Sequence, residues 1–298
     1  MDKREWRLIH LHHIKGMSRS LLRKVINYDP NLEQIYHWKK EKWQDLFNIS
    51  DQKAKYIVEQ LNNKSIQRKV VRHVKTYQVI TIFSENYPAS LKVIPDPPLV
   101  LYLHGNPSLL TNSPNLSVVG TRYPSKYALS IMNQILIPLF KFNIVITSGM
   151  AKGIDGFAHQ LALQHNNPTI AVLGGGFQHI YPKENLSLFN QLAKENLIIS
   201  EYPPDQPPKK YHFPERNRII SGLSFGTLVI EAKKKSGTLI TVDQALEQGK
   251  EVFAIPGSIL AETSSGCNQL IQDGAKLIQS SNDILEECNL TQPFEIKN

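Results

Sequence analysis

Four short stretches of the chain carry residue types suited to holding a phosphate or a stacked base. Gly120-Thr121-Arg122 and Ser148-Gly149-Met150-Ala151-Lys152-Gly153-Ile154-Asp155 combine small residues with a cation, and Gly174-Gly175-Gly176 is a third glycine cluster. Small residues let the backbone approach an anion and leave N–H groups unblocked, while Arg122 and Lys152 supply positive charge. The fourth stretch, Lys209-Lys210-Tyr211-His212-Phe213-Pro214-Glu215-Arg216-Asn217-Arg218-Ile219-Ile220-Ser221-Gly222, interleaves cations with aromatics. That pattern fits single-stranded nucleic acid, whose phosphates need charge and whose exposed bases need a stacking surface. Each glycine turn by itself is equally consistent with a tight strand-to-helix reversal. Arg216 and Arg218 are open to a structural role, paired with Glu215 or Glu231, and Phe213 to a place in the core. Asp155 suits capping a helix or ordering its turn better than acting as a base.

The surrounding pattern says where these turns fall. Short runs rich in Val and Ile at 78–83, 99–103, 116–120, 143–148, 169–173, 197–200, 226–230 and 251–255 alternate with segments of helical period. Most intervals suit a strand–helix–strand crossover, which predicts a mostly parallel, doubly wound α/β sheet. In such sheets ligands bind beyond the carboxyl ends of the strands, where the three glycine turns stand. None spells GxGxxG opening a helix with an acid about 20 residues on, and none is GxxxxGK[ST].

The first quarter differs. Helical pairs are expected at 6–12 with 20–28 and at 31–40 with 51–62, with Gly16, Ser18 and Ser50 supplying turn and cap chemistry. Both resemble degenerate helix-hairpin-helix units, which either present N–H groups to phosphate or serve as scaffolding. Residues 1–75 hold 17 Lys/Arg against 8 Asp/Glu, a net of +9, whereas 76–298 hold 17 against 18. The overall +8 therefore belongs to the front end, where it either attracts polyanions or is a solvated basic surface.

At 298 residues, 41% hydrophobic and 20% charged, the chain has the composition of an ordinary α/β domain with a small companion. No apolar run approaches the ~20 residues of a membrane span, and the N-terminus lacks a signal-peptide pattern, so a cytoplasmic, non-membrane protein is expected. Cys267 and Cys288 form neither a disulfide framework nor a zinc motif, and His10, His12 and His13 diverge on a helix, so no metal is expected.

Taken in order, the first two turns, the run 213–222, Ser236-Gly237-Thr238 and Ile255-Pro256-Gly257 resemble the DNA-processing protein DprA family, also called Smf, over residues 80 to 280. The resemblance implies an extended Rossmann-like domain at 76–290 that binds single-stranded DNA, preceded by a SAM-like or helix-hairpin-helix domain at 1–75. It implies a homodimer, no cofactor, and loading of the RecA recombinase onto incoming DNA during natural transformation in competent cells. Carried over by position, Arg122 and Lys210 hold phosphate, Lys152 lies near the second turn, Phe213 stacks on a base, and Asn217 with Arg218 orders the groove. Gly120, Thr121, Ser148, Gly149 and Arg216 complete the expected DNA-binding set. A dimer or recombinase surface is expected around Asn268, Leu270, Gln272 and Leu277; residues 243–298 hold nine acids against three lysines, which suits protein better than DNA. The C-terminal winged helix of longer members is not expected, 291–298 reading as a tail.

The rival is a phosphoribohydrolase-like enzyme whose PGGxGTxxE motif carries a working glutamate. Here Gly222-Leu223-Ser224-Phe225-Gly226-Thr227-Leu228-Val229-Ile230-Glu231 lacks the paired glycines and sets the glutamate one residue late. In a strand that shift moves a side chain to the opposite face, so no catalysis is expected.

Overall fold

The structure, a computed structural model, describes residues 1–111 and 113–288. Two compact units divide the chain, one of residues 1–87 and 98–102, the other of 88–97 and 103 onward. The expected tail at 291–298 lies outside the described residues.

The first unit opens with helices α1 (Lys3–His12) and α2 (Arg19–Tyr28), a 3-10 turn (Gln34–His37), then α3 (Lys40–Phe47), α4 (Asp51–Leu61) and α5 (Lys64–Thr76), leading to strand β1 (Gln78–Thr81). Their starts follow cap chemistry: Asp2 and Glu5 form a capping box, and the Ser18 and Ser50 hydroxyls accept from Leu21 and Lys53 N–H. The helix expected at 31–40 is corrected. Asp29 accepts N–H bonds from Gln34 (2.7 Å) and Ile35 (3.3 Å), and Leu32 sits at φ 55°, so the chain turns there and only one 3-10 turn follows. The second hairpin is instead α3 with α4, broken at Asn48 in the left-handed region (φ 49°). Trp38, Trp43 and Phe47 fill this part of the core.

After β1, the short helix α6 (Ala89–Lys92) belongs to the second unit, and β2 (Val100–Gly105) passes from the first unit into the second. There follow β3 (Asn115–Val119), α7 (Ala128–Phe140), β4 (Val145–Ser148), α8 (Ile154–Gln164), β5 (Thr169–Leu173), α9 (Leu186–Glu195), β6 (Leu197–Ser200), α10 (His212–Leu223), β7 (Gly226–Val229), α11 (Gly237–Glu247), β8 (Glu251–Ala254), α12 (Ser265–Gln272), β9 (Lys276–Leu277) and α13 (Ser281–Glu287). The order β6-β5-β4-β3-β7-β8-β9 is parallel throughout, as the crossover spacing requires. Strands β3 to β7 are buried along their whole length, as strands covered on both faces are, and their few polar side chains, such as Ser117 and Thr227, hydrogen-bond to each other inside the sheet. Leu116, Val118, Ile146 and Leu228 of the sheet pack with Met132, Leu136, Ala158 and Ala162 of α7 and α8. Removing a side chain from such a core costs about 2–5 kcal/mol for a Leu-to-Ala change.

This order fixes the site. From β3 the chain steps outward through β4, β5 and β6, then returns to place β7 on the other side of β3. The connections that leave the parallel neighbours β3 and β7 thus run toward opposite edges of the sheet, a switch point beside which ligands of doubly wound sheets bind, and the glycine turns lie on its β3 side.

Candidate nucleic-acid interface

The three glycine turns follow β3, β4 and β5, three neighbouring strands, and their glycines are where the turns touch. A Cβ on Gly153, which has φ 75°, would overlap the Thr121 carbonyl, and one on Gly120 would lie 2.6 Å from the Ile154 side chain. The first two turns therefore close on each other through absent side chains. In the third, a Cβ on Gly174 would come within 2.9 Å of the Phe213 ring, so that glycine is the floor on which Phe213 rests.

Arg216 ties the second turn to β5, the strand that leads into the third. Fully buried, it donates from Nη1 to the carbonyls of Gly149 (2.7 Å) and Val172 and from Nε to Asn217 Oδ1 (3.2 Å). A Cβ on Gly149 would occupy the guanidinium's place. Burial lowers the Arg216 pKa to about 10, an effect opposed by the Asp155 carboxylate, so the group stays charged at neutral pH. Burial also raises the Asp155 pKa, against the pull of Arg216 and of backbone hydrogen bonds from Ala151 and Gly149. Asp155 orders the second turn from within, as its position suggested.

Four residues of the expected contact set point inward, and this corrects their assignment. Ser148 is buried and its hydroxyl donates to the Val118 carbonyl (2.6 Å); Thr121 is buried and its Oγ1 accepts from Tyr123 N–H (3.2 Å). Arg216 has the roles just given. Arg218 is buried in ion pairs with Glu201 (2.5 Å) and Asp96 (3.2 Å), not with Glu215 or Glu231. Asn217 is joined to Arg216, while Arg218 acts from within through Glu201 and Asp96 and does not present its charge to solvent. The backbone is also partly committed: Thr121 N–H donates to the Glu231 carbonyl (2.8 Å), and the Gly149 and Ala151 N–H groups serve Asp155. These turns therefore offer an anion side-chain cations more than free N–H groups.

Those cations face solvent. Arg122 and Lys210 are exposed, and Lys152 is exposed in a 2.7 Å pair with Glu184 that a phosphate can displace, exposed pairs being weak. The segment bearing Lys210 is fixed at the third turn by His212, whose Nδ1 lies 3.2 Å from Lys209 N and 3.1 Å from the Gly174 carbonyl, its ring stacked on Tyr202 at 3.9 Å. Half-buried Phe213 has exposed Tyr181 beside it, ring centroids 5.6 Å apart. Tyr181 escaped sequence reasoning because it stands far from the basic-aromatic run. Lys233, Lys234 and Lys235 were also missed, although three lysines before Ser236-Gly237-Thr238 were a visible signal; they are exposed on the loop after β7, with Lys233 paired to Glu262 (2.6 Å).

Glu231 lies two residues beyond β7, buried, with its carboxylate accepting from Ser125 N–H (2.8 Å) and Ser125 Oγ–H (2.5 Å). It orders the first turn. In the C-terminal region Asn268 engages both the N–H (3.1 Å) and the carbonyl (3.0 Å) of Gly257. Leu270 is half-buried, Gln272 exposed, and Leu277 lies exposed on edge strand β9. Among the described residues no helix is long and apolar enough to cross a membrane.

The sequence model of the family described as DNA recombination-mediator protein A matches residues 78–289. DNA processing protein DprA of Bacillus subtilis is 48% identical over 220 residues, 72% of this chain and 74% of that protein. DprA of Streptococcus pneumoniae is 39% identical over 272 residues, 91% of this chain and 94% of that protein. The X-ray structure of the Streptococcus pneumoniae protein matches with a TM-score of 0.85 at 38% identity, covering 96% of this chain and 99% of that one. A structure of DNA processing protein A from Helicobacter pylori, described for its single-stranded DNA binding mode, matches with a TM-score of 0.65 at 31% identity, covering 72% of this chain and 97% of that one.

Proposed function

The chain belongs to the DNA recombination-mediator protein A family, and on that premise we propose that it binds single-stranded DNA at the carboxyl ends of β3, β4 and β5 and hands it to the RecA recombinase. The observation that carries this reading is the exposure of Arg122 and Lys152 on the first two turns, which their glycines bring together, and of Lys210 on the segment leading into Phe213, whose ring rests on Gly174 with Tyr181 beside it. Phosphates meet the cations, and a base stacks on Phe213, a contact typically worth about 1–3 kcal/mol.

The activity is binding without catalysis and needs no cofactor. Glu231, nearest counterpart of the hydrolase glutamate, is buried and engaged by Ser125, which favours binding over the phosphoribohydrolase-like rival. The chain works in the cytoplasm as a homodimer that protects and loads strands arriving by natural transformation. Exposed apolar side chains in the C-terminal region, Leu246 on α11, Ile259, Leu260 and Leu277 on edge strand β9, favour a protein surface there.

Arg122→Ala and Lys210→Ala test the groove. Each is expected to weaken single-strand binding by roughly tenfold to a hundredfold, the value of one charge-assisted hydrogen bond of about 1.5–3 kcal/mol. The log–log salt slope should become less negative by about 0.7 for each phosphate that the variant no longer neutralises. Unchanged affinity in both variants sinks the groove, and a flat salt response supports the small-nucleotide enzyme.

A further inference from the structure

We infer that α5, in the helical unit, carries a second binding surface for the phosphate backbone of single-stranded nucleic acid. The helix Lys64–Thr76 has the sequence KSIQRKVVRHVKT, with no acidic residue. Lys64, Arg68, Arg72 and Lys75 are all exposed. At 100° per residue these four fall within an arc of about 80°, one stripe along about 16 Å of helix. Neighbours in the stripe are three or four residues apart, which brings their Cβ atoms to about 5–6 Å and allows successive cations to meet successive phosphates.

The opposite face shows that the stripe is not needed for folding. Val70 and His73 are buried and Ile66 and Val74 half-buried, and His73 Nδ1 lies 2.9 Å from Nε2 of His13, the residue that follows α1. Nor is the stripe neutralised: among the described residues none of its four cations makes an ion pair, whereas Arg7, Lys40, Lys152, Lys233 and Lys276 each have a carboxylate partner. Four unpaired like charges in one row repel each other, and a polyanion relieves that repulsion by displacing counterions. A membrane-surface helix would set large apolar side chains beside its cations; here only Val71 is exposed within the stripe.

The hairpins are weaker candidates. Ser18 and Ser50 already cap the helices that follow their turns, and Lys40 is paired with Asp51 at 2.6 Å. This surface uses no residue of the groove, so the two are separable by experiment.

The test uses the full chain with Arg68→Gln and Arg72→Gln together, a charge-preserving Arg68→Lys with Arg72→Lys control, and Arg122→Ala with Lys210→Ala. One probe is an oligothymidylate of about eight nucleotides, within the usual footprint of about 4–16 nucleotides for one single-strand site. The other is several times longer. The glutamine pair should leave the short probe unaffected, weaken the long one roughly tenfold at low salt and take about 1.4 off its log–log salt slope. The lysine pair should restore both. Unchanged long-probe affinity and slope overturn the inference, as does a loss that lysine fails to restore, or a loss of binding to phosphatidylserine vesicles with DNA binding intact. Failure of the groove shows separately, as unchanged short-probe binding in the Arg122→Ala, Lys210→Ala protein.

Discussion

Arg216 illustrates what residue type alone leaves open. It stands between Glu215 and Asn217 in a run of cations and aromatics, a setting that suits phosphate binding, yet it is buried beneath Gly149. Only the three-dimensional coincidence of the second turn with α10 reveals its carbonyl partners, 67 and 44 residues away. Truncating it would strand the Gly149 and Val172 carbonyls and leave Asp155 without its countercharge. Breaking a buried charged interaction in this way typically costs about 3–5 kcal/mol. Arg216→Ala is therefore expected to lower the urea midpoint of the full chain sharply. Gly149→Ala should cost about 1–3 kcal/mol, because the added methyl meets a guanidinium tethered on both sides. Wild-type midpoints in both variants would show that the side chain faces solvent. Exposed Arg122→Ala should change binding while leaving the midpoint near wild type, which separates residues that touch DNA from those that order the groove.

At the scale of elements, legibility followed the strength of local signals. β5 and β6 were readable to the residue because each is a buried apolar run with breakers at its ends. The helix misplaced at 31–40 failed because Asp29 and the left-handed Leu32 redirect the chain before its apolar spacing can act. α5 went unread, its apolar positions Ile66, Val70 and Val74 being outnumbered by cations, and β9 is two residues long, too short to show a period. The three turns were legible as glycine clusters, but their mutual approach depends on strand order, which no local pattern contains. The third turn joins α10 in presenting an aromatic platform, and this can be tested as a unit. Phe213→Ala should weaken single-strand binding by about 1–3 kcal/mol, roughly fivefold to more than a hundredfold. Tyr181→Ala should cost less, since that ring is more exposed and gains its position partly from Phe213. If the double variant lost the sum of the two, the rings would be acting on separate bases; a smaller loss marks one shared platform.

For the whole molecule, charge and stability respond to solution conditions through different groups. The net +9 of residues 1–75 and the near neutrality of the rest place most long-range attraction for DNA outside the groove, so binding should follow salt. Stability should follow pH, and the sign is set by buried histidines. His159 on α8 is fully buried, with Nδ1 at 2.7 Å from Thr169 Oγ1; that hydroxyl donates to the Ile146 carbonyl, so neutral His159 donates to it. Desolvation first, then the nearby Arg216 charge, lowers its pKa from 6.5 to about 3. The unfolded chain thus binds a proton below pH 6.5 that the folded chain refuses until about pH 3, and stability rises with pH across that window. The contribution is complete above the unfolded value and is lost as pH falls. Between pH 7 and pH 5 His159 should remove about 2 kcal/mol, at 1.36 kcal/mol per unit. His10 in the helical unit, lowered to about 4 by burial, acts with the same sign, whereas Asp155, raised by burial, acts oppositely and in the carboxylate range. Urea unfolding at pH 7 and pH 5 should therefore show a lower midpoint at pH 5. His159→Gln should start from a lower stability at pH 7 but lose about 2 kcal/mol less on acidification. Equal pH dependence in the two proteins would mean that the imidazole is protonated in the folded state, and that the packing of α8 against the sheet admits a charge.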